Sequence, residues 1–226
     1  PLGKRGREWW TPIGVNAIHA ILRDLQRLLP IDDDRIVATG FSDGASGCFH
    51  LAMTAPERFA AFVPMNGHPE VPASASGREL FPTNLAATPM LAMMTRDDAL
   101  YPSSAVLPHF QPALAMGAPL RLLSWETGNH RPAYFEATEA MIADFILGAR
   151  RERAPARRRW RFDGAGRHGD LEVIGLGGTS APAVQVMSGP GRIRLGIEPA
   201  EGDAGPGFLV TKTTPGGTAA ALGVKA

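Results

Sequence analysis

The chain has 226 residues, 23 Lys+Arg against 22 Asp+Glu, 44% apolar and 20% charged residues, 26 Gly, 20 Pro and one Cys. The apolar share argues against wholesale disorder, and the balanced charge leaves no overall nucleic-acid or anionic-membrane footprint. One Cys excludes a disulfide framework and a four-Cys zinc site, and Met90–Met94, among the longest clean apolar runs, is far short of the roughly eighteen residues of a membrane span.

Residues Pro1 to Trp10 lack the charged-then-apolar order of a signal peptide. Thr11-Pro12 reads as an N-cap followed by a first-turn proline. Ile18, Ile21, Leu22, Leu25, Leu28 and Leu29 then recur at helical spacing until Pro30. Arg35–Thr39 is expected to be a short buried strand, Ala45–Thr54 a helix and Phe59–Met65 a second strand. After a polar loop at 69–84, Pro89–Met94 reads as the third strand and Leu120–Trp125 as the fourth. Pro132–Leu147 is an amphipathic helix that Gly148 stops. Short apolar strands alternating with helices imply an α/β domain, with a parallel sheet covered by helices on both faces.

Composition shifts near Gly148. Residues 1–163 hold 11 Gly and residues 164–226 hold 15. Residues 1–149 carry 11 basic and 15 acidic side chains, residues 150–161 seven Arg and one Glu, and the remainder five basic and six acidic. Past this joint, Trp160–Phe162, Leu171–Ile174, Ala183–Met187, Arg192–Ile197 and Phe208–Thr213 read as short strands between Gly-rich turns, with no long helix and no fixed-period repeat. The expected organisation is a domain over 1–149, an Arg-rich linker and small β segment over 150–187, and a mainly β module over 188–226.

Gly40-Phe41-Ser42-Asp43-Gly44 matches G-x-S-x-G and falls between an expected strand and an expected helix, as a nucleophile elbow requires. Such a turn lifts the Ser42 hydroxyl above the sheet edge. It also sets the Asp43 backbone N–H at a helix N-terminus, where it can stabilise a developing oxyanion. A serine hydroxyl needs a base, and the base an orienting acid. In an α/β sheet both belong at the carboxyl ends of later strands. The third strand runs into Asp97 and Asp98, and the fourth into Glu126-Thr127-Gly128-Asn129-His130. The order is then Ser42, Asp98, His130.

These segments carry a resemblance. DDDRIVATGFSDGASG, Asp98-Ala99-Leu100-Tyr101-Pro102 and Gly128-Asn129-His130 resemble the serine-hydrolase branch of the α/β-hydrolases, nearest to carboxylesterases, feruloyl esterases and polyester depolymerases, over about residues 9–149. The resemblance implies Ser42 as nucleophile, His130 as general base and then acid, and Asp98 as the imidazole's orienter, chosen over Asp97 because the family's acid commonly lies four residues before a proline. It implies half an oxyanion hole at Asp43, a small-molecule ester or acyl substrate and no cofactor or metal. The family places strands and an oxyanion loop well before the nucleophile, so the chain is expected to be cut at its N-terminus and to be poorly active alone.

Gly191–Ile197 and Gly207–Ala226 resemble part of a bacterial-type PDZ domain, cut at its C-terminus. The resemblance implies an extended peptide added as a strand, its C-terminal carboxylate captured near Leu195, Gly196 and Ile197. A Gly-rich β module without peptide affinity is the plain alternative. Two such families in one chain lean toward a bacterial envelope or secreted protein, with any export signal upstream of Pro1.

Other signals are set aside. Gly164–Gly169 fits G-x-G-x-x-G without a βαβ unit around it and reads as a turn. Asp32-Asp33-Asp34 reads as a solvated turn, and the Arg run at 150–161 as a solvated helix end and linker, not a nucleic-acid surface. His19 and His50 are expected to be helix-surface or packing residues, and Cys48, Met93 and Met94 to lie in the core; His109 and His168 carry no supporting context. His68 either lines the pocket or sits in an ordinary loop, and Trp9-Trp10 either wall a pocket or pack the first helix. The function expected is serine ester hydrolysis. A serine peptidase on the same fold and a non-catalytic peptide-binding scaffold are the competitors.

Overall fold

Thr11 caps the first helix, α1 (Pro12–Leu28), by accepting the Gly14 N–H at 3.1 Å, and Pro12 fills a first-turn position that has no intrahelical partner for an N–H. These coordinates come from a computed structural model that describes residues 8–76, 81–152, 158–161, 166–168, 171–173, 184–186, 197–199 and 210–213. The chain divides into two compact units, Pro1–Arg153 and Ala154–Ala226. No helix among the described residues is long and apolar enough to cross a membrane.

In the first unit, α1 leads to β1 (Val37–Phe41), α2 (Asp43–Thr54), β2 (Ala61–Met65), α3 (Glu70–Ser76), β3 (Met90–Thr95), α4 (Ser103–Val106), α5 (Gln111–Leu114), β4 (Leu120–Trp125) and α6 (Phe135–Gly148). The four strands form one parallel sheet in the order β1-β2-β3-β4. Phe41 pairs with Met65, Met65 with Met93 and Met93 with Leu123, so the strands' carboxyl ends finish side by side.

The run MLAMMT of β3 is buried on both faces. Met90, Ala92 and Met94 join Phe49, Phe62, Leu85, Val106 and Phe110 on one side, where Val15, Ile18 and Leu22 of α1 also pack. Leu91 and Met93 join Val63, Tyr134 and Ile142 on the other, beneath α6. The period-two alternation of a strand sends neighbours to opposite cores, and for this reason the sequence run is continuous and not alternating. Helices therefore cover both faces, as expected.

Several details differ from expectation. β1 runs to Phe41, two residues past Thr39, because its pairing with β2 continues through Gly40 and Phe41. α2 starts at Asp43, so Ser42 alone makes the strand-to-helix turn. α6 starts at Phe135, after Pro132. The loop expected at 69–84 holds α3 and the start of a 3-10 segment, Pro82–Ala87. Each is too short to show a helical period in sequence. Only one row of the α1 stripe is packed: Ile21, Leu25, Leu28 and Leu29 are exposed.

The acidic turn is exposed at Asp32 and Asp33, as expected, but not at Asp34. Asp34 is buried, and the Arg151 guanidinium donates to its Oδ1 from Nε (3.3 Å) and Nη2 (3.1 Å) and to the Glu57 carbonyl at 2.9 Å. Arg150 pairs with Asp32 at 3.4 Å. The first two arginines of the basic run thus fasten the end of α6 to the turn before β1.

In the second unit three antiparallel ribbons are described: β5 (Arg158–Trp160) with β8 (Val184–Val186), β6 (Gly166–His168) with β7 (Leu171–Val173), and β9 (Ile197–Pro199) with β10 (Val210–Thr213). β6 replaces a segment read as a turn. Leu195 and Gly196 lie outside the described residues, whereas Ile197 opens β9 opposite Thr213. No PDZ-like groove is shown among the described residues.

Candidate active site

Three strand ends meet at one rim. β1 delivers Ser42, β3 the Asp97-Asp98 pair, and the loop after β4 delivers His130. Ser42 Oγ and His130 Nε2 lie 2.8 Å apart, and His130 Nδ1 lies 2.9 Å and 3.1 Å from the two oxygens of Asp98. Ser42 holds φ 56° and ψ −119°, an unfavourable backbone for a residue with a Cβ. Asp43 is the first residue of α2.

The tight elbow explains Gly40. A Cβ there would lie 2.3 Å from the Gly44 carbonyl carbon, so only glycine lets strand and helix backbones approach this closely.

The two adjacent aspartates do different work. Asp98 is 2% exposed and faces His130; its Oδ1 accepts the Leu100 and Tyr101 N–H groups at 2.8 Å and 2.9 Å. Asp97 is exposed and accepts the Gly128 and Asn129 N–H groups at 3.2 Å and 2.7 Å, shaping the loop that carries His130.

Asn66, at the end of β2, escaped the sequence reading. Its Nδ2 donates to Asp98 Oδ2 at 2.8 Å and to Thr95 Oγ1 at 3.0 Å, while its Oδ1 accepts the Tyr134 hydroxyl. Thr95 Oγ1 in turn donates to the Asn129 carbonyl at 2.6 Å. Burial pushes the Asp98 carboxyl up, but hydrogen bonds from Asn66, Tyr101, His130 and Leu100 outweigh it and leave it below its ordinary value. Burial, and then the Asp98 charge, push the Tyr134 hydroxyl well up, so it remains a donor. Ser42, Asn66 and Asn129 are the non-glycine residues with positive φ among the described residues, and all three border this cluster. The available signal was an Asn-Gly pair straight after an apolar strand, since asparagine tolerates that backbone.

Phe41 and Tyr101 flank the His130 ring, with centroids 5.1 Å and 5.7 Å away. Tyr101 also touches His68 at 5.8 Å, placing His68 beside this aromatic group. Burial, then the nearby His109, lower the basicity of His68. Trp10 is buried, and Trp9 lies against Gly47 of α2, the helix after the elbow. Cys48 is buried and its thiol is pushed up to about 12, too high for a nucleophile. His50 is buried within α2.

No family model and no curated relative matches the sequence. Solved structures do. A thermostable esterase aligns with TM-score 0.52 and 22% identity over 61% of this chain and 37% of its own. An acylaminoacyl peptidase in complex with Z-Gly-Gly-Phe-chloromethyl ketone aligns with TM-score 0.50 and 17% identity over 61% of this chain and 27% of its own. The acylaminoacyl peptidase of Pyrococcus horikoshii gives 0.50 and 15% over the same shares. The first unit has an α/β-hydrolase-like fold. The chain spans between about a quarter and two fifths of the length of these α/β-hydrolase structures. In such a sheet, ligands meet the protein outside the carboxyl ends of the strands, where Ser42, Asp98 and His130 lie.

Proposed function

We propose that the chain carries the catalytic centre of a serine hydrolase acting on carboxylic esters. The observation that supports this reading is the continuous hydrogen-bonded line from Ser42 Oγ through the His130 ring to the buried Asp98 carboxylate. Ser42 Oγ attacks the acyl carbon while His130 Nε2 takes its proton. Asp98 keeps the ring oriented and balances the imidazolium. The Asp43 N–H is one donor to the oxyanion. The bond from the acyl carbon to the leaving oxygen then breaks, and the alcohol departs with the proton from His130. Water repeats the sequence on the acyl-enzyme, releasing the acid and restoring Ser42.

The acylaminoacyl peptidases among the solved structures favour one second reading, in which the leaving group is an amine. The proposed partner is a small-molecule ester or acyl compound. Capture of peptide C-termini through Leu195, Gly196 and Ile197 remains a proposal resting on the PDZ resemblance alone.

A fluorophosphonate probe tests the reading. Covalent labelling is expected in the wild type and absent in Ser42→Ala. Where turnover of a generic acyl ester is measurable, Ser42→Ala and His130→Ala are each expected to lower it about 10⁴–10⁶-fold, with the double variant losing little more. A folded protein that takes no label would leave the non-catalytic scaffold standing. Additive losses would argue against one shared unit.

A further inference from the structure

His68, Glu70 and His109 take no part in the hydrogen-bonded line of the catalytic cluster, yet they converge beside it. One ligand atom from each lies within 4.8 Å of the others. Glu70 Oε1 and His109 Nε2 are 3.5 Å apart, close to the edge of about 3.3–3.4 Å that two ligands span around a tetrahedral ion with bonds of about 2.0–2.1 Å. The His68 and His109 rings meet edge to face with centroids 5.1 Å apart. We propose that these three side chains bind a divalent cation of the zinc class.

The donor set selects the ion. Two imidazoles and one carboxylate suit zinc, nickel or copper, whereas magnesium and calcium take sets made of oxygens. Two half-buried rings provide a fixed wall, and the exposed Glu70 carboxylate, on α3, is free to close on the ion from solvent. His68 Nδ1 accepts the Glu70 N–H at 3.1 Å, and a cation on Nδ1 would take the place of that N–H. Three protein ligands leave a fourth position for water.

The site would tie two separate segments together: the stretch after β2 that carries His68 and Glu70, and the helical stretch between β3 and β4 that carries His109. His68 touches Tyr101, and Tyr101 touches His130, so the cation would sit two aromatic rings from the catalytic imidazole.

The test is chelator-treated protein titrated with zinc, followed by calorimetry and by thermal melting, with magnesium and calcium as controls. The expected result is saturable zinc binding that raises the melting temperature by roughly 5–10 °C at a hundredfold excess over the dissociation constant. His109→Ala and Glu70→Gln should each weaken zinc binding about 10–100-fold and lose the melting shift. Magnesium and calcium should do neither. Glu70→Gln is a near-isosteric change on an exposed helix, so it decides the matter even if His109→Ala fails to fold. Zinc affinity within twofold of wild type in Glu70→Gln, no binding at millimolar zinc, or an equal response to magnesium would each overturn the site. None of these readouts depends on hydrolysis.

Discussion

At the residue scale, Asn66 does for Asp98 what Asp98 does for His130. The Leu100 and Tyr101 N–H groups fix the Asp98 carboxylate on its Oδ1 side. The Asn66 amide holds the Oδ2 side, and it is itself held by Thr95 and by the Tyr134 hydroxyl. Asn66→Ala is expected to loosen the Oδ2 side of Asp98 and to raise its carboxyl toward the ordinary range, because one of the donors that outweighs burial is gone. Fluorophosphonate labelling should slow by about 10–100-fold, the scale of a misplacement of about 1 Å. An unchanged labelling rate would remove Asn66 from the positioning of the site. Ser42, Asp98 and His130 were legible because each stands in a local motif. Asn66 was not, since an Asn-Gly pair after a strand is ordinarily just a turn.

At the element scale, the strand–elbow–helix unit depends on how closely β1 and α2 approach. Gly40→Ala would set a methyl group against the Gly44 backbone, which has no flexible end to yield. Equilibrium urea unfolding is expected to show a loss of about 1–3 kcal/mol, with Ser42 displaced and labelling slowed. Gly148→Ala is the contrast: nothing lies within 4 Å of a Cβ there, and the position ends α6. It should be neutral or up to about 1 kcal/mol stabilising. A Gly40→Ala variant as stable as wild type would mean that the elbow relaxes freely. The alternation of strands and helices was legible because β3 and its neighbours are short apolar runs between turn residues. The element ends were not, because glycine weakens both helix and strand signals, and the pairing of Gly40 and Phe41 with β2 decides where β1 stops.

At the scale of the whole first unit, the end of α6 is fastened across 117 residues of sequence. Arg151 reaches Asp34, whose side chain is 8% exposed, at 3.1 Å, while Arg150 stands further off at 3.7 Å, so removing Arg151 takes the nearer cation from a buried carboxylate. Arg151→Ala is expected to cost about 2–3 kcal/mol in urea unfolding, more than an exposed ion pair contributes. A loss below about 0.5 kcal/mol would show that Asp34 is solvated. His19 supplies a pH dependence. Burial, then the Arg58 and Arg23 charges, hold it down at about 4 in the folded chain. The unfolded chain takes up that proton near the ordinary value of about 6.5. His19 therefore costs nothing above about pH 6.5 and destabilises increasingly as the pH falls from there toward 4. Between pH 7.5 and pH 5 the wild-type melting temperature should fall further than that of His19→Gln. Equal falls would show that His19 titrates normally.

What the residues determined alone was local: the elbow at Ser42, the aspartate pair after an apolar strand, a histidine after the next, and the alternation that makes a parallel α/β sheet. Each is written within a few adjacent positions, and elementary sterics or chemistry reads it there. What only the tertiary structure decided was non-local. Register across four strands turns Asp98 inward and Asp97 onto the His130 loop, brings Asn66 between strands, and gathers His68, Glu70 and His109 from two segments. It also pairs Arg151 with Asp34. These contacts join positions dozens of residues apart, and the distance between them depends on how strands align and helices pack.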